Sequence, residues 1–327
     1  MSRVPPIAAI LAARDMLRAE DVPPPRDGQA EPLAQVLEDC AGSRAVAPGP
    51  APIRAIHHLA CTGGTLISRC LATLPNTTLL SEIDPLSTLQ GAAGKQQFRP
   101  SDLIYAAGFS LRPPDAATTA DIFCAGLREL HRGLARQGGY LCVRAHSHSQ
   151  FCTGADPDGR PGMHQLLQRV APVRGVVTVR HPLDSYLSLG LNGWLHFEPA
   201  TLDEYARRYL MFLDAHDDLA LFRYEDFTAA PDDTLAAICA VLDLPVLRQV
   251  EQLYGLAMLS GDSGRQTRQI TSRPRRAVPA DIALEARASR RYGLLCERLG
   301  YPPEPETPSR EAPEAASASR GDDDEPS

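Results

Sequence analysis

Short apolar runs alternate along the chain with stretches in which apolar residues recur every three or four positions. The short runs predict five β-strands, at residues 54–60, 78–81, 140–144, 175–180 and 219–224. The periodic stretches predict helices at residues 65–74, 120–136, 161–170, 183–191, 202–215, 233–242 and 280–299. Strands that alternate with helices are typical of an α/β protein whose parallel sheet is covered on both faces. Ligands of such sheets bind beyond the carboxyl ends of the strands.

The two ends of the chain differ in composition from the part between them. Residues 1–53 are rich in Ala and Pro and predict an N-terminal extension that is partly helical, around residues 32–40. Residues 303–327 have no aromatic side chain and are rich in Pro, Ala, Ser and acids, which predicts a disordered, solvated tail. One catalytic domain is therefore expected over residues 54–302.

Charge and cysteine content narrow the class of protein. The net charge of −7 divides into −2 for residues 1–53, −6 for residues 303–327 and +1 for the body between them. A nearly neutral body argues against a basic face for nucleic acid. The 8 cysteines form no CxxC pair and no apolar run reaches the length of a membrane span, so we expect a cytoplasmic protein without a transmembrane segment.

The first candidate binding element is a glycine turn between the first strand and the first helix. It comprises Cys61, Thr62, Gly63, Gly64, Thr65 and Leu66. Such a turn points backbone N–H groups and the positive end of a helix at one anion. A nucleoside-triphosphate loop would end in GK[ST], but this turn has no lysine, and the chain's only lysine, Lys95, has the wrong glycine spacing. A tight strand-to-helix connection would also require the two glycines.

A second anion-binding pattern reads VVTVRHPLDSYLSL, residues 176–189. The apolar run predicts a strand buried on both faces, with Arg180 at its end and a helix beginning near Pro182. Ser188 follows the arginine by eight residues, about two turns into that helix. Together the guanidinium and the hydroxyl could bind a phosphate, unless the arginine instead pairs with a carboxylate such as Asp184.

The glycine turn followed by Arg-x7-Ser resembles the sulfotransferase family that depends on 3′-phosphoadenosine 5′-phosphosulfate (PAPS). The resemblance covers roughly residues 54–302 and is closest in layout to the tyrosylprotein, carbohydrate and bacterial branch. It implies a P-loop-type sheet with PAPS as co-substrate, the 5′-phosphosulfate on the glycine turn, the 3′-phosphate on Arg180 and Ser188, and no metal. Many members carry Arg or Lys where this chain has Cys61, so Arg69 or Arg144 is expected to supply that charge.

The same resemblance assigns the catalytic groups. Glu82 follows a short strand, twenty-one residues after Cys61, where the family branch has its general base; a helix cap or an ion pair is the alternative. Arg144 ends the next strand and would neutralise the sulfuryl oxygens. His146 and His148 alternate, so on an extended segment both would face one side, as acceptor contacts, bases or structural groups. A metal is the weakest option, because no third ligand is suitably spaced.

A late polar loop, residues 259–270, would close over the nucleotide, and the resemblance points to Ser260 and Arg265 within it. Arg223 and Glu225 are expected to pair with each other or with neighbours. The acceptor could be a small molecule, a glycan, a lipid or a peptide, and neither it nor the oligomeric state follows from the sequence. Two alternatives are a P-loop phosphotransferase and a nucleotide-binding protein with impaired turnover.

Overall fold

The computed structural model describes residues 50–87, 102–154, 157–246, 270 and 275–303. Its centre is a sheet of five parallel strands: β1 (Ile53–His58), β2 (Thr77–Ile83), β3 (Tyr140–Ala145), β4 (Val173–Val179) and β5 (Ala220–Arg223). The strands lie in the order β2-β3-β1-β4-β5. The strand β1 is therefore central, with β3 on one side and β4 on the other.

Eleven α-helices occur in the described part of the chain. In chain order they are α1 (Gly64–Ala72), α2 (Leu103–Gly108), α3 (Ala116–Ala135), α4 (Ser147–Phe151), α5 (Met163–Gln168), α6 (Pro182–Leu191), α7 (Leu202–Asp214), α8 (Tyr224–Ala229), α9 (Pro231–Leu242), α10 (Ala280–Ala288) and α11 (Arg290–Leu299). None of these helices is long and apolar enough to span a membrane.

The two faces of the sheet carry different helices because neighbouring residues of a strand point to opposite sides. On one face, Ile56 and Val176 pack against apolar side chains of α1 and α9. On the other face, Ala55 packs against α3 and α5, and Val177 against α6, α7 and α11. The predicted α/β class, with a parallel sheet covered on both faces, is confirmed.

The predicted strands and helices match the structure with shifts of a few residues at their ends. The predicted helix at residues 280–299 is two helices, because Ser289 has extended backbone and its side chain caps the second helix through the Tyr292 N–H (3.0 Å). The short helices α2, α4 and α8 were not expected. The predicted helix near residues 32–40, the loop at residues 259–269 and the tail beyond Pro303 lie outside the described residues.

Candidate active site

The carboxyl ends of β1, β3 and β4 meet at one edge of the sheet. From β1 the chain runs through α1 to β2 on one side, whereas from β3 it crosses to β4 on the other side. Between β1 and β3 the connections therefore leave in opposite directions, which opens a crevice of the kind that binds ligands in α/β proteins. The glycine turn follows β1, and Arg144 is the second-last residue of β3.

The glycine turn is held tightly against its surroundings. Gly63 has a φ of 90°, and a side chain there would collide with the ring of Tyr224. A side chain on Gly64 would collide with the imidazole of His58. The first hydrogen bond of α1 runs from the Ile67 N–H to the Gly63 carbonyl (3.2 Å), so the N–H groups of its first turn have no acceptor within the helix. Tight packing and an anion-binding helix end are thus combined in one turn.

Arg180 reaches this turn from the end of β4. Its Nη1 lies 3.4 Å from the carbonyl oxygen of Cys61, 119 residues away in sequence, and its guanidinium lies 5.0 Å from the ring centre of Tyr224. The same ring packs against Gly63. The alternative of an Arg180–Asp184 pair is wrong, because Asp184 pairs with Arg275 (3.4 Å). The structure thus brings Arg180 to the glycine turn.

Ser188 lies in α6 and is connected to the same turn through Asn192. The Ser188 hydroxyl donates to the Asp184 carbonyl (2.8 Å), while Asn192 donates to the Ser188 carbonyl (2.8 Å) and lies 3.7 Å from the Cys61 sulfur. Burial raises the pKa of the Cys61 thiol, against the opposing effects of Asn192 and of the positive charge of Arg180. Cys61 is therefore a neutral thiol near neutral pH, and Arg180 brings a positive charge beside it.

Arg144 is fully buried and binds three groups at the edge of the crevice. Its side chain forms an ion pair with Glu82, donates to the Thr65 hydroxyl of the glycine turn, and donates from Nε to the Ser81 hydroxyl (3.0 Å). These contacts connect the predicted base to the predicted 5′ site. Arg69, the other candidate for the missing charge, lies instead in the last turn of α1, at the far end of that helix from the glycine turn.

Glu82 occupies an irregular point of β2. Its φ is 58°, and the pairing of β2 with β3 shifts register between Leu80 and Ile83. An extra residue of this kind, a β-bulge, turns a side chain out of the regular alternation of a strand. Two residues later, Asp84 binds both terminal nitrogens of Arg160 (2.8 and 2.6 Å). The bulge therefore turns the Glu82 side chain out of the regular alternation, and the ion pair with Arg144 holds its carboxylate in place.

His146 lies beside Glu82, with 3.4 Å between its Nε2 and the second carboxylate oxygen. The predicted extended segment is wrong here, because α4 begins immediately after His146. His148 consequently points into the protein, where neither of its ring nitrogens has a hydrogen-bond partner. Burial lowers the pKa of His148 to about 3, so its ring is neutral near neutral pH.

Three further histidines form a cluster that the sequence did not reveal. His57 of β1 is fully buried, with its ring centre 4.3 Å from that of His216 and 5.2 Å from that of His164. Burial, followed by the charges of the neighbouring imidazoles, lowers the pKa of His57 well below its usual range, and burial lowers that of His216 to about 4. Among the described residues, no group of three or more His, Cys, Asp or Glu side chains is arranged to hold a metal ion.

Two of the remaining predicted residues contact neighbouring groups of the fold, and two lie outside the described residues. Arg223 donates to the Leu299 carbonyl (2.6 Å), and Glu225 accepts from the Tyr301 hydroxyl (2.6 Å), so each binds neighbours rather than the other. Ser260 and Arg265 lie outside the described residues. Sequence reasoning also missed Tyr224, which joins Gly63 to Arg180, and Asn192, which joins α6 to Cys61.

No family model and no curated protein matches the chain. Among solved structures, the sulfotransferase domain of the Synechococcus PCC 7002 olefin synthase is 17% identical, with 79% of this chain and 98% of that domain covered and a TM-score of 0.48. The sulfotransferase domain of the curacin biosynthetic pathway is 14% identical (78% and 99% covered, TM-score 0.44), and a sulfotransferase from Alicyclobacillus acidocaldarius is 15% identical (77% and 97%, 0.41). Such values do not assign a function, so the geometry of the site must support one by itself.

Proposed function

We propose that the protein transfers a sulfuryl group from PAPS to a hydroxyl or amine of an acceptor. The observation that carries this proposal is the contact between two motifs 119 residues apart: Arg180 Nη1 lies 3.4 Å from the Cys61 carbonyl of the glycine turn. A guanidinium beside a helix N-terminus is suited to two separate phosphate groups of one nucleotide. The order of the same two motifs is what resembles the sulfotransferases.

The residues present fit a bisphosphorylated adenosine. The N–H groups of the first turn of α1 would hold the 5′ side, with Cys61, Thr62, Gly63, Gly64, Thr65 and Leu66 forming the turn. Arg180 and Ser188 would hold the 3′-phosphate. The Ser188 hydroxyl donates to the Asp184 carbonyl and would rotate to donate its one proton to a phosphate oxygen.

PAPS, when bound, supplies an activated sulfuryl group on a phosphate leaving group. In our proposal Glu82 takes the proton of the acceptor hydroxyl as that oxygen forms its bond to sulfur. The bond between sulfur and the bridging oxygen breaks, and its electron pair stays on the phosphate. Arg144, held against Thr65 and Glu82, stabilises the negative charge of the transferring group. His146 contacts the other oxygen of Glu82 and orients it.

A phosphotransferase is the second candidate, and the missing lysine of the glycine turn argues against it. Binding separates the two. By titration calorimetry, we expect adenosine 3′,5′-bisphosphate (PAP) to bind at least tenfold more tightly than ADP with Mg²⁺. Equal or tighter binding of ADP with Mg²⁺ would overturn the proposal.

Turnover then separates an enzyme from a nucleotide-binding protein with impaired turnover. Labelled PAPS is incubated with a phenol, a sterol, a hexose and a tyrosine peptide, and label transfer is measured. Loss of the base in Glu82→Gln is expected to lower transfer by about 10²–10⁴-fold while PAP affinity is kept. The matched control is Glu204→Gln, which removes a carboxylate paired with Arg208 on α7. Full activity of Glu82→Gln would remove Glu82 from the role of base.

A further inference from the structure

The side chain of Asn192 lies at the edge of the glycine turn, although it comes from a distant part of the chain. Asn192 directly follows the last residue of α6, one helical turn after Ser188, and it is exposed. Its amide nitrogen lies 3.7 Å from the sulfur of Cys61, which is 131 residues away in sequence. The end of α6 and the start of the glycine turn therefore meet at this amide.

The amide group of Asn192 has two N–H groups, and their acceptors differ in strength. One N–H donates to the carbonyl oxygen of Ser188 at 2.8 Å. Since that partner is a carbonyl oxygen, the amide atom that faces it is the nitrogen and not the oxygen. Within the described part of the chain, the other acceptor in reach is the Cys61 sulfur, and a thiol accepts hydrogen bonds weakly. One N–H of Asn192 is therefore ready for a stronger acceptor.

The surroundings of Cys61 suit an acceptor that is negatively charged. Burial raises the pKa of the Cys61 thiol, against the opposing effects of Asn192 and of the positive charges of Arg180 and Arg276. The sulfur therefore stays uncharged near neutral pH and does not neutralise the two arginines. The N–H groups of the first turn of α1 point to the same place, since they have no acceptor within their helix.

We propose that Asn192 is a further binding residue for the 5′-phosphate of the nucleotide, and that its second N–H donates to an oxygen of that phosphate instead of to Cys61. This rests on the proposed function, in which the 5′ side of the nucleotide lies on the glycine turn. The N–H that is bound to Ser188 stays in place and orients the amide. When the bond between sulfur and the bridging oxygen breaks, negative charge develops on the same phosphate, so this donor also stabilises the leaving group.

The arrangement shows how a turn with a neutral thiol can hold a phosphosulfate. Many members of the family that the chain resembles have Arg or Lys at position 61. Of the expected replacements, Arg144 is already paired with Glu82, and Arg69 lies at the far end of α1. In our proposal Asn192 supplies a directed hydrogen bond to the phosphate, and Arg180 supplies positive charge beside it.

Three adenosine nucleotides separate a contact with the 5′-phosphate from a structural effect at the end of α6. They are PAP, adenosine 5′-monophosphate, which lacks the 3′-phosphate, and adenosine 3′-monophosphate, which lacks the 5′-phosphate. In Asn192→Ala we expect titration calorimetry to show at least about tenfold weaker binding of the first two, because a hydrogen bond to a charged group is lost. The affinity for adenosine 3′-monophosphate should change by less than about twofold, because that ligand has no such bond to lose.

The matched control is Thr73→Ala. The Thr73 hydroxyl donates to the Cys70 carbonyl (2.7 Å) at the end of α1 that lies away from the glycine turn, so this variant also loses a side-chain bond to a helix carbonyl. It should bind all three nucleotides as the wild type does.

The pattern across the three ligands decides the inference. Equal weakening of all three in Asn192→Ala would mean that the residue acts only at the end of its helix, and would overturn the inference. Weakening confined to PAP and adenosine 3′-monophosphate would assign the amide to the other phosphate and would overturn it as well.

A second readout follows the amide without any substitution. The chain has two asparagines, Asn76 and Asn192, so protein labelled with ¹⁵N-asparagine gives two side-chain amide signals. Saturating PAP is expected to shift the Nδ2 signal of Asn192 and not that of Asn76, which directly precedes β2 at its amino end. Adenosine 3′-monophosphate should leave both signals in place. An equal shift of Asn192 with both ligands, or no shift with PAP, contradicts the contact.

Failure of this inference and failure of the proposed function give different results. If the wild type binds PAP more tightly than ADP with Mg²⁺ and Asn192→Ala binds PAP equally well, the inference alone is wrong. If the wild type does not bind PAP, the proposed function is wrong, and the role of Asn192 is lost with it.

Discussion

Arg144 and Arg180 stand at the carboxyl ends of the two strands that flank β1, yet they are held in different ways. Arg144 is fully buried and its guanidinium binds Glu82, Thr65 and Ser81. Arg180 is only partly buried and contacts a backbone carbonyl and an aromatic ring. Among the described residues, no carboxylate pairs with it.

The difference indicates a division of work between the two arginines. The guanidinium of Arg144 is already paired with Glu82, so in addition to the charge stabilisation proposed above it holds the proposed base against the glycine turn. A guanidinium without a carboxylate keeps its charge for an anion from solution, so Arg180 is suited to bind a ligand phosphate. Arg144 and Arg180 occupy equivalent positions at strand ends, and the difference between their roles follows from the groups that each guanidinium contacts.

Lowering the pH should have the largest effect on stability, because the buried imidazoles around Arg144 stay neutral in the folded protein while the same groups take up protons in the unfolded chain. The buried imidazoles concerned are His57, His58, His148 and His216, with pKa values lowered well below the usual range or to between about 3 and about 4, mainly by burial. The unfolded chain takes up these protons below about pH 6.5 while the folded protein does not, so stability falls as the pH falls. Between about pH 7.5 and about pH 5.5 the free energy of unfolding should fall by up to about 5 kcal/mol, at about 1.4 kcal/mol per imidazole.

Urea unfolding at the two pH values measures this loss. In His216→Gln the loss should be smaller by about 1.4 kcal/mol, since one depressed imidazole is gone. A wild-type stability that is the same at both pH values would show that these rings are protonated in the folded protein as readily as in the unfolded chain.

Removing the buried guanidinium tests the organising role. Arg144→Met leaves Glu82 as a charge without its partner and is expected to lower the free energy of unfolding by about 3–5 kcal/mol. Urea unfolding at neutral pH measures it. The double variant Arg144→Met with Glu82→Gln should recover part of the loss, because no uncompensated charge is left. Additive losses in the double variant would contradict the role of this pair.

Removing the guanidinium of Arg180 should weaken nucleotide binding and leave the free energy of unfolding nearly unchanged. Arg180→Ala is expected to weaken PAP binding by about 1.4–2.7 kcal/mol, roughly 10–100-fold, with a change of less than about 1 kcal/mol in stability. Calorimetry and urea unfolding measure the two quantities. Arg174→Ala, at the opposite end of the same strand, is the matched control and should leave affinity unchanged. Equal affinities of Arg180→Ala and the wild type would remove Arg180 from the nucleotide site.

Adding a positive charge at position 61, where many sulfotransferases have Arg or Lys, should have the smallest effect, and the quantity affected is PAP affinity. Cys61→Lys puts an ammonium beside Arg180, whose guanidinium already lies against the Cys61 carbonyl. Since the two like charges repel, we expect PAP affinity to change by less than about threefold, or about 0.7 kcal/mol. Tenfold tighter binding would mean that neither Arg144 nor Arg180 supplies the charge missing from the turn.

Much of the fold followed from the sequence because β1 and β4 are largely buried and read as short strand-like runs, IRAIHH and VRGVVTV. The glycine turn and Arg180 were also recognisable, since each immediately follows or ends such a run. The contacts that join them were not, because Tyr224 comes from a motif far away in the chain. His57 and His164 were missed for the same reason, being 107 residues apart. Single histidines within a strand and a helix carry no pattern that indicates a cluster.

The bulge at Glu82 makes the direction of a carboxylate depend on residue count as well as on residue type. Because β2 has one extra residue between Leu80 and Ile83, the side chains after the bulge lie on the opposite face of the sheet from the one that regular alternation would give. Deleting a single neighbour, such as Ser81, would restore the regular pleat and swing the acid to the opposite side, even though no apolar side chain had been lost. In any relative of this chain, an exact length between the glycine turn and that acid is therefore a stronger mark of shared chemistry than the identity of the residues in between.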